Sequence, residues 1–256
     1  YPFEPTVDPS ALEWFDLPSE FESARFYLND GTGHFVDQTK EYGVDRTFLT
    51  MGHNYGDIDS DGWMDFYLGT GAPPFETMIP NLLFRNIEGK SFQLASAESG
   101  LGHVMKGHGV AFGDLDQDGD LDLWHQLGGW YLDGSFGNAL FINEGHDNHW
   151  LNLKLLGVDS NHFGVGTKIR CRILEEGKER DIFVFAGPGA SFGGNTMQQE
   201  IGLGGATQIE ELELWWPASG VRQILRNVPV DQCIRVTEGK DGWEVLSMTP
   251  ISFLGK

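Results

Sequence analysis

The sequence predicts an all-β chain, with partial propeller-like repeats carrying Asp-rich ion loops, followed by a β-sandwich-like region. Three observations predict it. The stretch Asp57-Ile58-Asp59-Ser60-Asp61-Gly62-Trp63-Met64-Asp65 recurs 57 residues later as Asp114-Leu115-Asp116-Gln117-Asp118-Gly119-Asp120-Leu121-Asp122. The landmarks around it keep that offset, with Asn29, Asn86 and Asn143 in step and Phe35 mapping onto Phe92. Beyond residue 146 the acidic loops stop and longer alternating strands begin. A fixed period of this length marks stacked supersecondary units, and strand-like flanks make them blade-like.

Residues 1–24 carry Pro2, Pro5, Pro9 and Pro18 with Trp14, Phe15 and Phe21. They read as an extended N-terminal arm, because proline fixes φ and holds a chain out. Residues 25–146 hold the repeats, about two and a half units. Each has an aromatic strand ending in Asn (25–29, 82–86, 139–143) and a tight turn, and the first two continue into an Asp loop. The loop feeds an alternating strand, Asp65–Leu68 or Asp122–Leu127. Residues 147–240 contain alternating runs at 150–155, 168–173 and 211–215, separated by glycine clusters that include Gly202–Gly205. Such strands with glycine turns predict a sandwich-like second region. Residues 241–256 read as a C-terminal tail.

In both acidic loops carboxylates occupy positions 1, 3, 5 and 9, with glycine at position 6. Carboxylates this close repel one another unless a cation joins them, and a hard ion with many oxygen ligands, calcium above all, suits them. The spacing resembles an EF-hand loop, yet position 12 of the second loop is His125 where an EF-hand needs a bidentate Glu. The flanks read as strands rather than helices.

The chain has 256 residues and a formal charge of −21, from 38 acidic and 17 basic residues. No basic stripe exists to meet phosphates, so nucleic acid is excluded as a partner class. No run has transmembrane length. The chain starts at Tyr1 without a visible signal peptide, which reads as a processed product or a piece of something longer. Whether Cys171 and Cys233 pair is left open.

His53, His103, His108 and His125 fall near the Asp loops without recurring at matching repeat positions, and packing or surface roles suit them best. The competing reading sets His108 or His125 beside a metal as part of an enzyme. No Gly-x-Ser-x-Gly elbow or His-Glu-x-x-His pair is present. Gly202-Leu-Gly-Gly-Ala206 reads as a turn rather than a phosphate cradle. Trp130 and Tyr131 offer rings that could stack on a sugar, while Trp215 and Trp216 read as packing residues.

Gly56–Asp65 and Gly113–Asp122 resemble the FG-GAP (VCBS-type) calcium repeats of integrin α-chains and bacterial exported proteins. Asn148-His-Trp-Leu151, Gly164-Val-Gly166, Ile201-Gly-Leu-Gly204 and Trp216-Pro217 with Gly220 resemble the ASPIC/UnbV domain. The pairing is similar to the cartilage acidic protein family and its bacterial relatives. The resemblance implies two structural calcium ions. Asp57, Asp59, Asp61, the Trp63 carbonyl and Asp65 would hold one; Asp114, Asp116, Asp118, the Asp120 carbonyl and Asp122 would hold the other. It transfers no catalytic residue. The expected function is a non-catalytic, exported interaction module, an accessory subunit on a larger protein assembly. A carbohydrate-binding or adhesion module is the alternative. Two and a half units cannot close a propeller, so uncovered faces and edges are expected, to be met by a partner or by more chain.

Overall fold

The computed structural model describes residues 22–71, 79–128, 136–189 and 191–253. The expectations for the proline- and aromatic-rich arm (Trp14, Phe15, Phe21) and for Trp130 and Tyr131 lie outside the described residues. Among the described residues there is no helix, and the small sheets are arranged like the blades of a four-bladed propeller.

The repeat region opens with β1 (Tyr27–Asn29) and β2 (Phe35–Asp37), an isolated antiparallel pair. Four strands then form one sheet in sequence order: β3 (Thr50–Gly56), β4 (Asp65–Thr70), β5 (Leu82–Ile87) and β6 (Ser91–Leu94). Three more form the next: β7 (Gly107–Gly113), β8 (Asp122–Leu127) and β9 (Ala139–Phe141). Each Asp loop is therefore the hairpin connection between the first two strands of a sheet. The 57-residue period is kept hydrogen bond by hydrogen bond. Asn81 Oδ1 accepts from the Thr70 N–H at 2.8 Å, and Asn138 Oδ1 from the Leu127 N–H at 3.3 Å. Tyr67, Leu83, Val110, Phe112 and Leu123 bury the space between the two sheets. Phe26, Tyr42 and Phe92 meet at ring-centroid distances of 4.5–6.0 Å and tie β1–β2 to the first of them.

The remaining strands form two four-stranded sheets. β10 (His149–Leu156), β13 (Gln199–Gly204), β16 (Gln232–Thr237) and β17 (Glu244–Leu246) make one, in the order β13-β10-β16-β17. β11 (Lys168–Glu175), β12 (Lys178–Phe185), β14 (Gln208–Trp215) and β15 (Arg222–Pro229) make the other, in the order β12-β11-β14-β15. Alternation turns Leu151, Leu153, Ile201 and Ile234 of the first sheet toward Ile169, Ile173, Leu212 and Leu214 of the second. Trp216, with no exposed surface, sits in this core. Cys171 lies in the same core. Cys233 projects from the opposite face of the first sheet, toward Gln198, and both thiols are free.

Three features differ from the sequence expectation. Glu244–Leu246 joins the sheet as β17, and the Ile251 N–H donates to the Asp116 carbonyl at 2.6 Å, so this segment is no free tail. Gly202 lies inside β13, which runs through Gly204, and the chain turns only after it, at Gly205 and Ala206. The inner strands β3 and β7 are partly covered by the chain itself. His53 and Ser191 exchange backbone hydrogen bonds at 3.3 and 3.2 Å, and the Val110 N–H donates to the Phe192 carbonyl at 3.1 Å. Asn195 then bridges the two strands, donating to the Tyr55 carbonyl at 2.9 Å and accepting from the Phe112 N–H at 2.9 Å. The β1–β2 pair remains open, with Phe35 66% exposed.

Glu238, at the end of β16, gathers the loop after β10. Its Oε2 accepts from the N–H groups of Val158, Asp159 and Ser160 at 2.7–2.9 Å, and Oε1 from the hydroxyls of Ser160 and Ser219. Burial pushes its carboxyl up, but the hydrogen bonds from Ser219, Ser160 and Val158 outweigh it and bring it down to about 2. A carboxylate held below its ordinary value stabilises the fold above the unfolded value of 4.5, and that contribution is lost as pH falls toward about 2. Glu238→Gln should cost about 2 kcal/mol in urea unfolding at pH 7, with the deficit shrinking below pH 4.5 as the carboxyl of the unfolded chain takes up a proton that the folded chain does not bind until about pH 2. An unchanged urea midpoint would refute the role.

Gly202 marks where β13 passes the first Asp loop. A Cβ there would lie 2.1 Å from Asp57 Oδ2 and 2.4 Å from the Ser60 Cα. Gly202→Ala should therefore cost about 1–3 kcal/mol by overpacking. Gly137→Ala, with nothing within 4 Å, should be near neutral in the same thermal melt.

Candidate metal centres

Each loop is a backbone cage before any ion is considered. In the first, Asp57 Oδ1 and Oδ2 accept from the N–H groups of Asp61 (3.0 Å) and Gly62 (2.8 Å). Asp65 Oδ2 accepts from the Ile58 N–H at 3.1 Å, and Oδ1 from the Asn86 N–H at 2.7 Å. The second loop repeats this. Asp114 Oδ1 accepts from the Asp118 N–H at 3.0 Å, and Asp122 accepts from the N–H groups of Leu115 and Asn143, both at 2.9 Å. The turns need positive φ, at Ser60 and Gly62 in one loop and at Gln117 and Gly119 in the other. Gly119 is required twice over, since a Cβ would stand 2.0 Å from the Trp150 ring.

These cages bring together Asp57, Asp59 and Asp61, and separately Asp114, Asp116 and Asp118, with one carboxylate oxygen of each within 4.8 Å of the others. Asp65 and Asp122 close the loops from the first residue of β4 and β8, pinning position 2 and, respectively, Asn86 in β5 and Asn143 just past β9. The position-7 peptides lie at the same closing turn, with the Trp63 N–H bonded to Asp61 Oδ1 at 2.8 Å and the Asp120 N–H to Asp118 Oδ1 at 3.3 Å.

Both loops are walled in by the C-terminal sheets. The Gly204 N–H donates to the Ser60 carbonyl at 2.9 Å, and Asn148 Nδ2 to the Asp59 carbonyl at 2.8 Å. Arg180 Nη2 donates to the Asp61 carbonyl at 2.8 Å, and its guanidinium stacks 5.5 Å from the Trp63 ring. Over the second loop, Asn152 Nδ2 donates to Asp114 Oδ2 at 2.7 Å. A cleft of about 680 Å³ opens beside it, walled by Asp114, Glu200, Cys233 and Lys154.

Burial makes negative charge costly here. It pushes the Asp57 carboxyl well above the usual range, with Asp61 and Asp65 adding repulsion, and brings Asp65 up to about 7. Burial and then Asp118 push Asp116 and Asp120 up as well. Oxygens of Asp59, Asp116 and Asp120 are buried without a hydrogen-bond partner. Convergent oxygen donors, several orphaned and mutually repelling, are the donor set of a hard divalent cation, so the residues present fit one.

The histidines are not gathered into these cages; among the described residues the metal-competent groups contain only aspartates. His125 lies three residues beyond Asp122, about 10 Å along an extended strand. It has no exposed surface, and burial followed by repulsion from His103 and His108 pulls it down to about 4. It packs edge-on to Tyr67 at 5.3 Å, a packing role. Sequence reasoning missed Arg85, whose guanidinium pairs with Asp59, along with Arg180 and Asn152, and it named Asn148 only as part of a family motif, not for its bond to the first loop. Among the three missed outright, Arg85 left a trace, because its repeat counterpart 57 residues on is Ile142.

No curated protein matches the chain. A protein-family model, ASPIC and UnbV, matches residues 157–242, about a third of the chain. The match covers β11 to β16 and the Glu238 carboxylate, while β10, at the centre of one sheet, lies just before it. The C-terminal part of this chain is therefore similar to the ASPIC and UnbV family.

Proposed function

We propose that this chain is a non-catalytic interaction module, stabilised by two calcium ions and working outside the cytoplasm as an accessory subunit on a larger protein assembly. The observation that carries the reading is the position of the Asp loops. Both lie where the repeat sheets meet the C-terminal sheets, the first under Gly204, Asn148 and Arg180 and the second under Asn152 beside an open cleft. An ion at either place ties the two parts together. Asp57, Asp59, Asp61 and Asp65, with the Trp63 carbonyl, hold the first ion; Asp114, Asp116, Asp118 and Asp122, with the Asp120 carbonyl, hold the second. Calcium supplies charge neutralisation and flexible oxygen coordination there. The FG-GAP likeness of the loops and the ASPIC and UnbV match support the same reading, as does the compatibility of a propeller-like fold with interaction rather than catalysis.

Exposed apolar surface supports the interaction half. Phe183 and Phe185, 70% and 61% exposed, project from the edge strand β12, and Trp215 and Ile224 lie on the same outer face. A surface of this kind suits a protein partner. The strongly acidic net charge keeps the module away from nucleic acid and anionic membranes.

Chelation should lower the melting temperature by about 5–10 °C, the shift expected for losing an ion present at some hundredfold above its dissociation constant. Asp118→Ala should lower it without chelator. Melting curves indifferent to both would overturn the structural role of calcium.

A further inference from the structure

We propose that the two loops are unequal: the second is the cation-dependent site, and Arg85 serves the first as a tethered countercation that an incoming ion must displace. This rests on the calcium reading above. In the first loop the Arg85 guanidinium sits on Asp59 Oδ2, taking the carboxylate at position 3. Arg180, itself paired with Glu175 at 3.0 Å, caps the Asp61 carbonyl from the other side. Four loop carboxylates thus have one guanidinium paired with them directly, that of Arg85, and a second, that of Arg180, shared with Glu175.

The second loop inverts this balance. The repeat places Ile142 where Arg85 stands and Asp120 where Trp63 stands. Five carboxylates crowd the turn, and among the described residues no Lys or Arg forms an ion pair with any of them. Oxygens of Asp116 and Asp120 are buried with no partner, whereas in the first loop only one, on Asp59, is left so. A cation entering the second loop relieves repulsion that nothing else relieves. One entering the first must break an existing ion pair, and calcium affinity follows the ligand charge that remains free.

The sequence supplies its own reporters. Trp63 belongs to the first loop, and the Trp150 ring lies against Gly119 of the second. Terbium, a calcium mimic excited through tryptophan, can be titrated into the full chain and competed with calcium. The luminescence lost in Trp63→Phe reports the first loop, and that lost in Trp150→Phe reports the second. The second should be half-saturated at an ion concentration about tenfold or more below the first. In the Trp150→Phe background, Arg85→Ile, which copies Ile142, should tighten the first loop to within about threefold of the second, while Arg85→Lys keeps the gap. Equal half-saturation of the two loops in the otherwise unaltered chain overturns the inequality, whatever the Arg85 variants do. A folded Arg85→Ile protein with unchanged first-loop affinity overturns the role of Arg85. Luminescence from neither loop refutes the calcium reading itself, and the inequality with it.

Discussion

Carboxylate crowding at a buried seam is the constraint on which the rest of this structure depends. The Asp loops are the hairpin connections of two small sheets, and the same loops are the surface on which the C-terminal sheets sit. Asp57, Asp65 and Asp122 are each at most 2% exposed. An interior that holds this much acid must supply donors or cations, and the fold supplies both. Backbone N–H groups turn inward through positive-φ residues, asparagines arrive from β10 and the segment before it, and arginines arrive from β5 and β12. The apolar cores lie to either side, between the repeat sheets and inside the C-terminal pair. The seam between them mixes these polar groups with a few apolar ones, Ile182 beside Gly62 and the Trp150 ring beside Gly119.

Much of the architecture was legible in the sequence because it is periodic. The two loops, their glycines and the Asn positions recur at one interval, so strands, turns and loop identity can be read together, and the family match over residues 157–242 agrees with the motifs quoted from that region. What was not legible has no local signature. Gly202 sits among glycines that look like a turn, and only the approach of Asp57 and Ser60 explains it. Glu238 is one acid among 38, distinguished by five donors from segments 19 to 80 residues away. Asn152 alternates outward on β10 like any solvent-facing residue, until the loop it meets is in place.

The same reasoning explains why the region boundaries blur. A cut after residue 146 separates the sheets by strand order, but the hydrogen bonds cross it repeatedly. Asn148 Nδ2 donates to the Asp59 carbonyl at 2.8 Å, and the Thr249 N–H reaches Gln117 Oε1 at 3.3 Å from the far end of the chain. Each half completes the polar shell of the other. The hydrogen bonds to the loops help set where the parts meet.

Asn195 gives this arrangement a time order. It bonds Asn54 across 141 residues of chain and adds, to the direct link from Asn54 Nδ2 to the Val110 carbonyl, a second tie between β3 and β7 at Tyr55 and Phe112. A ribosome adding 5–20 residues per second needs on the order of ten seconds to cover that separation. Throughout that interval the early sheets exist without their bridging side chain, and their acid turns face solvent. Contacts this distant in sequence place the chain among slow folders, because loop closure precedes the reward. The nascent N-terminal half is thus a strongly acidic, edge-exposed species that must be kept from pairing with its neighbours until the last third of the polypeptide arrives.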